Sequence, residues 1–286
     1  MGQRYRRVGL RAMLGSALLM LAGPPASAAP PDELVLSGSA EQGHILFGRA
    51  PENARSISLD GTEVPVAADR RFLIAFDRDA PTPAMLHMTL ADGRVIDRTI
   101  PVRPGNWPIE AVDASPTAGL PNAEFQRRRA GELAEITAAR AAMRPDASEG
   151  WRQVFVWPVV ARISGRFGAQ RVYRGTPGSY HTGVDLAARA GTVYVAPADG
   201  VVILAAASPF TLEGNLLIID HGMGLNSAFL HSQRLLVKPG EVVRRGQPIG
   251  IVGATGRVSG PHLHWGMKWN GARIDPEAMV EGGGVR

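Results

Sequence analysis

Gly260-Pro261-His262-Leu263-His264-Trp265 is short, glycine-bounded and apolar apart from two histidines. Read as a strand, it puts His262 and His264 on one face, because strand side chains alternate with period two. Two imidazoles side by side are a common start to a metal site, and imidazole suits zinc. Taken alone, the pair reads more simply as two surface histidines near a turn. Its meaning depends on whether the surrounding chain is β-structured and supplies further ligands.

The surrounding chain has a dense β texture from Trp151 onward. Phe155-Val156-Trp157-Pro158, Val193-Tyr194-Val195, Gly200-Val201-Val202-Ile203-Leu204, Asn215-Leu216-Leu217-Ile218-Ile219, Ser227-Ala228-Phe229-Leu230 and Pro248-Ile249-Gly250-Ile251-Val252 all read as strands. Turns at Asp199-Gly200, His221-Gly222 and Pro239-Gly240 separate them. Residues 151–276 are therefore expected to form one glycine-rich antiparallel β domain, followed by a frayed tail at 277–286.

Further upstream, residues 29–104 show short alternating segments such as Met85-Leu86-His87-Met88-Thr89-Leu90, with hairpin signals at Asp60-Gly61 and Asp92-Gly93. They predict a small all-β, sandwich-like domain, with docking or regulation as its role. Residues 105–150 read as a linker and a connecting helix. Asn122 is a helix cap, Phe125, Leu133 and Ile136 form a sparse apolar stripe, and Pro145 is the stop. The fold class is mainly β: a β-sandwich-like domain, a helical connector and a barrel-sandwich-like β domain.

Residues 1–28 read as an export signal. Arg4, Arg6, Arg7 and Arg11 precede an apolar run, and Gly23-Pro24-Pro25 leads to Ala26-Ser27-Ala28. The run is shorter than the about 20 residues a spanning helix needs. No stable membrane anchor is expected once the signal is cleaved. The formal charge of +5 misleads, since losing those four arginines leaves 27 basic against 26 acidic residues. Charge then gives a nucleic-acid partner no support. The chain has no cysteine, so thiolate ligands, disulfides and a cysteine nucleophile are excluded. Any metal must be held by His, Asp or Glu.

Three further residues of the second β domain carry that chemistry: His181 and Asp185 in His181-Thr182-Gly183-Val184-Asp185, and His231 at the end of an apolar strand. In a regular strand His181 and Asp185 would stand about 13 Å apart. They share a metal only if the backbone bends, and Gly183 permits a bend. Three protein ligands with an open position mark catalytic zinc. Five candidates leave two residues for proton handling and transition-state stabilisation. His221, in Asp220-His221-Gly222, reads as a turn residue, and Tyr173 and Tyr180 as packing residues or groove lining.

These motifs, with Gly246-Gln247-Pro248-Ile249-Gly250-Ile251-Val252-Gly253 ahead of the His262/His264 stretch, resemble the lysostaphin-type (LytM-like) zinc peptidoglycan endopeptidases. The likeness covers roughly 155–276, in the family's order. It implies one zinc per chain held by His181, Asp185 and His264, with His231 and His262 as the catalytic non-ligands. Spacing alone leaves open which histidine of the pair meets the metal; the division comes from the family. Trp265, where the family often has Phe, keeps an apolar wall. The resemblance implies hydrolysis of peptidoglycan peptide stems in the periplasm, commonly at D-alanyl–diaminopimelate bridges. The alternative is a non-catalytic, wall-associated activator of another hydrolase, against which the intact five-residue set argues. A lipoyl-type carrier is a third reading, but the Asp199-Gly200 hairpin lacks the lysine it needs.

Overall fold

Alternation governs the N-terminal region. From Ala84 to Leu90, Ala84, Leu86, Met88 and Leu90 are buried while Met85 and His87 face outward, the pattern of a strand covered on one side. The computed structural model describes residues 33–113 and 123–280. Its first strands are β1 (Val35–Gly38), β2 (Ile45–Arg49), β3 (Ala54–Leu59), β4 (Thr62–Glu63), β5 (Arg71–Ala75), β6 (Ala84–Leu90) and β7 (Val95–Ile100). They form two sheets, ordered β1-β2-β5 and β4-β3-β6-β7. Asp60 and Gly61, at φ 47° and 79°, make the left-handed pair that a two-residue hairpin between β3 and β4 requires. The buried side chains of both sheets join those of the C-terminal region in one apolar cluster.

The expected export signal, the Asn122 cap and residues 281–286 of the expected tail lie outside the described residues. The start of the tail is ordered: Pro276–Val280 is a short helix, and Arg166 pairs with Glu277 at 2.6 Å. The stretch expected as linker contains a strand, β8 (Ile109–Val112). Helix α1 (Ala123–Ala141) follows it. Only Ile136 of the expected apolar stripe is deeply buried; Leu133 is 46% exposed, and Glu132 is buried in its place. The helix is held by a polar latch. Glu132 accepts hydrogen bonds from the Thr211 amide (2.7 Å) and hydroxyl (2.5 Å), and Arg129 donates to both Glu213 carboxylate oxygens at 2.6 and 2.7 Å.

The C-terminal region adds β9 (Ile163–Gly165), β10 (Gln170–Tyr173), β11 (Thr176–Pro177), β12 (Val184–Leu186), β13 (Val193–Val195), β14 (Gly200–Ala205), β15 (Asn215–Gly222), β16 (Leu225–Ser232), β17 (Arg234–Leu235), β18 (Val242–Val243), β19 (Pro248–Ile251), β20 (Leu263–Trp269) and β21 (Ala272–Ile274). Eight of these form the main sheet, in order β18-β14-β15-β16-β20-β12-β9, with β21 also on β20. A three-stranded sheet, β13-β19-β17, and a β11-β10-β8 sheet accompany it, β8 running parallel to β10. None of these sheets closes into a barrel. The expected strand Phe155–Pro158 is irregular. Pro158 has no amide for a ladder, and Phe155 and Trp157 act by packing, Trp157 edge-on to Trp265 at 5.9 Å.

The two faces of β20 have different jobs. Leu263, Trp265, Met267 and Trp269 point into the core and are at most 2% exposed. By alternation Gly266 and Lys268 share the opposite face with His264. On that face Leu230 lies opposite His264, and Ala228 opposite Gly266. Helix α1 covers its continuation: Ile136 packs with Leu204, Phe210, Leu216, Ile218 and Ala228.

Candidate metal centre

Strand register sets two of the site residues. In the antiparallel pairing of β12 with β20, Asp185 lies opposite His264. Val184 and Leu186, its neighbours, are buried in the core, so alternation turns the Asp185 carboxylate to the open face. Gly165 of β9 pairs with Asp185, and a Cβ there would come within 2.6 Å of the carboxylate, so glycine leaves room for it. The bend expected at Gly183 is present, and it brings His181 back to Asp185. Gly183 must be small, because a Cβ would meet the Trp265 carbonyl at 2.4 Å and His264 Nε2 at 2.8 Å.

The result is a tight cluster. His181 Nε2 lies 3.1 Å from Asp185 Oδ1 and 3.1 Å from His264 Nδ1, and His264 Nδ1 lies 2.9 Å from the same carboxylate oxygen. His181 Nδ1–H donates to the Arg166 carbonyl at 3.0 Å, which leaves Nε2 with its lone pair aimed inward. Three electron-pair donors therefore converge within 3.1 Å of one another. A single proton bridges only one pair of them, whereas a cation satisfies all three. Two imidazole nitrogens and one carboxylate oxygen make a donor set that suits zinc.

The ionisation pattern follows from this crowding. Burial raises Asp185, but the adjoining His181 and His264 imidazoles outweigh it and hold the carboxyl well below the usual range. Burial lowers His181, yet the Asp185 carboxylate prevails and raises it. His264 goes the other way, because burial outweighs the help from Asp185.

His262 and His231 stand beside the cluster. His262 Nδ1–H donates to the Gly260 carbonyl at 2.9 Å, and its Nε2 is 3.5 Å from Asp185 Oδ1. His231 Nδ1–H donates to the Thr255 carbonyl at 3.0 Å. The two rings are 5.0 Å apart. Strict alternation from Phe229, which faces the core, would send His231 into the core as well. A bulge prevents this. Between the pairs Leu217–Phe229 and Asn215–Ser232, β16 carries one residue more than β15, and His231 has φ 66°. Such a bulge re-aims a side chain, here placing the imidazole beside His262. Burial pushes His231 down to about 4, against the opposing pull of the Thr255 carbonyl.

All five residues singled out in the sequence thus lie in one place, three in the tight cluster and two against it. His221 differs from its expected place at a turn. It lies within β15, is fully buried, and the turn itself is Met223-Gly224. Tyr180 packs rather than lining an open groove: its hydroxyl donates to Asp77 at 3.1 Å, and Arg78 sits over its ring at 4.6 Å. The carbonyls of Arg166, Thr255 and Gly260, which orient the histidines, carry no side-chain signal in the sequence. Neither does the grouping of Arg140, Lys268 and Arg273 around the cavity next to His264.

Residues 179–276 match the model of peptidase family M23. The peptidoglycan DD-endopeptidase ShyA of Vibrio cholerae is 42% identical over 105 residues, covering 36% of this chain and 24% of ShyA. ShyC of the same organism, also named a peptidoglycan DD-endopeptidase, is 40% identical over 119 residues, 41% of this chain and 27% of ShyC. The match thus spans about a quarter of the length of these relatives. A crystal structure from Pseudomonas aeruginosa assigned to peptidase M23 is similar over 87% of this chain and 97% of its own, with 29% identity and a TM-score of 0.65. That similarity reaches beyond the matched peptidase region.

Proposed function

We propose that the chain, whose residues 179–276 match peptidase family M23, is a zinc-dependent endopeptidase cutting the peptide cross-links of peptidoglycan. The observation that supports this best is the convergence of His181, Asp185 and His264 beside two histidines whose Nδ1 atoms are both engaged by carbonyls. His181, Asp185 and His264 would hold one zinc ion. When bound, zinc supplies Lewis acidity towards water and the scissile carbonyl.

The protein's own part is proton handling. Carbonyl bonds at Nδ1 leave Nε2 of His231 and of His262 as the base nitrogen. One of the two takes the proton from the attacking water, and the other stabilises the developing oxyanion or protonates the leaving amine. The low proton affinity of His231 keeps it neutral at pH 7. Residues 1–28 would direct export to the periplasm, residues 29–104 would form the separate β module, and residues 105–150 its connection to the peptidase domain at 151–276. Among the described residues no helix is long and apolar enough to cross a membrane.

The test combines metal analysis with digestion of purified peptidoglycan. About one zinc per chain, loss of muropeptide release with a chelator and its return with zinc are expected. His264→Ala should lose the metal and at least about a hundredfold in rate. Undiminished digestion by that variant would sink the proposal.

A further inference from the structure

Beyond the metal centre, the open face of β20 runs on through Gly266 to Lys268. Arg273 of β21 lies opposite Lys268 in register, and Arg140 reaches the same place from α1. These three cations line a cavity of about 210 Å³ that also touches Thr182, His264 and Gly266, so it opens on the metal centre itself. A second cavity, between α1 and the β3–β4 hairpin region, shares Arg140 and Lys268 with the first. Arg140 and Lys268 stand where the two cavities meet, and Arg273 lines the first.

None of the three has an acidic partner among the described residues. Arg140 Nε donates to Asn226 Oδ1 at 3.3 Å, and Arg273 Nη1 donates to the Tyr180 hydroxyl at 3.3 Å. The acids nearby are already engaged. Glu213 is gripped by both Nη atoms of Arg129, and Asp77 accepts from the Tyr180 hydroxyl and the Arg273 amide. Burial, together with repulsion from Arg140 and Arg273, pushes Lys268 down to about 8. Grouping like charges away from bulk water destabilises the fold unless an anion joins them.

We propose that Arg140, Lys268 and Arg273 form a carboxylate-binding subsite that reads a free carboxylate on the peptide being cut. This rests on the endopeptidase reading above. Carboxylate is the anion a peptide substrate carries, and guanidinium groups match it in shape and charge. Lys268 lies four residues from His264 along one strand, about 13 Å at about 3.3 Å per residue. The recognised carboxylate therefore sits about four extended residues from the scissile bond. Stems whose carboxylates are amidated would be poor substrates.

The test is calorimetric titration of the full-length, zinc-loaded chain, made non-hydrolysing by His231→Asn. The probes are a purified cross-linked muropeptide dimer and the same dimer with its carboxylates amidated. The free-carboxylate dimer is expected to bind about tenfold tighter or more, and 0.5 M salt should narrow the gap. Lys268→Met, and separately Arg140→Met, should shrink it to about twofold. Equal affinities for the two dimers, no measurable binding of either, or a gap that survives both substitutions would overturn the subsite. Wild-type digestion is followed in parallel. A carboxylate preference without cleavage keeps the subsite and removes the endopeptidase reading; cleavage without preference does the reverse.

Discussion

The β15–β16 hairpin buries a histidine at each end. His221 lies beside the turn, and His231 lies at the far end of β16, next to the metal centre. Burial pushes both down to about 4. Their ring nitrogens differ. His221 Nδ1–H donates to the Asp199 carbonyl at 2.8 Å, and its Nε2 accepts from the Ser227 hydroxyl at 2.8 Å. Phe155 closes the ring edge-on at 4.9 Å. Nothing more can bind there. His231 commits only Nδ1 to a backbone carbonyl, and a bulge with φ 66° turns its ring out of the core toward His262. Burial and a lowered proton affinity therefore do not distinguish a working histidine from a structural one. An uncommitted nitrogen and a break in strand alternation do.

The sharpest way to break this contrast is His231→Asn. Asparagine tolerates the left-handed backbone at this position, so the thermal midpoint should stay within about 2 °C of wild type. Peptidoglycan digestion should fall about 10²- to 10⁴-fold, the usual contribution of a positioned acid or base. A loss under threefold would place His231 with His221 as structure.

At the other end the expectation reverses. His221→Phe preserves the ring but leaves the Asp199 carbonyl and the Ser227 hydroxyl without their partner, at about 2–4 kcal/mol in stability. Activity of the folded fraction should not change. The two proteins should also differ with pH. His221 binds its proton near 4 when folded, against an ordinary 6.5. Between these values the unfolded chain holds the proton and the folded chain does not. Its contribution is thus complete above about pH 6.5 and is lost as pH falls towards 4, by about 2 kcal/mol between pH 7 and pH 5. Denaturant titrations at the two pH values should show a steeper acid loss in wild type than in His221→Phe. Equal slopes would mean that His221 is not held neutral.

How far the sequence reaches follows the same division. Short-range devices are legible: the Asp60-Gly61 hairpin, the alternation of Ala84–Leu90, and the bend at Gly183 that lets an i, i+4 pair meet. The five site residues are legible as a set, because each sits in a motif of its own. Features made by long-range packing are not. The bulge that aims His231 depends on its register with β15. β8 pairs with a strand some sixty residues later, at Gln170–Tyr173, inside a stretch that composition marks as linker. α1 is held by Glu132 and Arg129 rather than by Leu133, because its partners Thr211 and Glu213 lie on a distant loop. Arg140, Lys268 and Arg273 come from three elements, and no local pattern joins them.

The smallest expected effect tests whether the two ends are independent. Ser227 Oγ links His221 directly to the strand of the metal centre: it donates to His221 Nε2 and accepts from Trp265 Nε1 at 3.2 Å. Trp265 follows His264 directly on β20 and is fully buried. Ser227→Ala leaves an indole N–H and an imidazole nitrogen without partners, at about 1–2 kcal/mol of stability at most on the scale of buried hydrogen bonds. If Trp265 is held by packing against Trp157 and Phe229, as its burial and the 5.9 Å ring contact indicate, His264 keeps its place and zinc content and digestion rate stay within about twofold of wild type. A larger fall in zinc affinity would show that the Ser227 hydroxyl fixes the rotation of Trp265 and, through it, the backbone that presents His264. His221 would then be a distant support of the metal centre, and the two histidines would belong to one system.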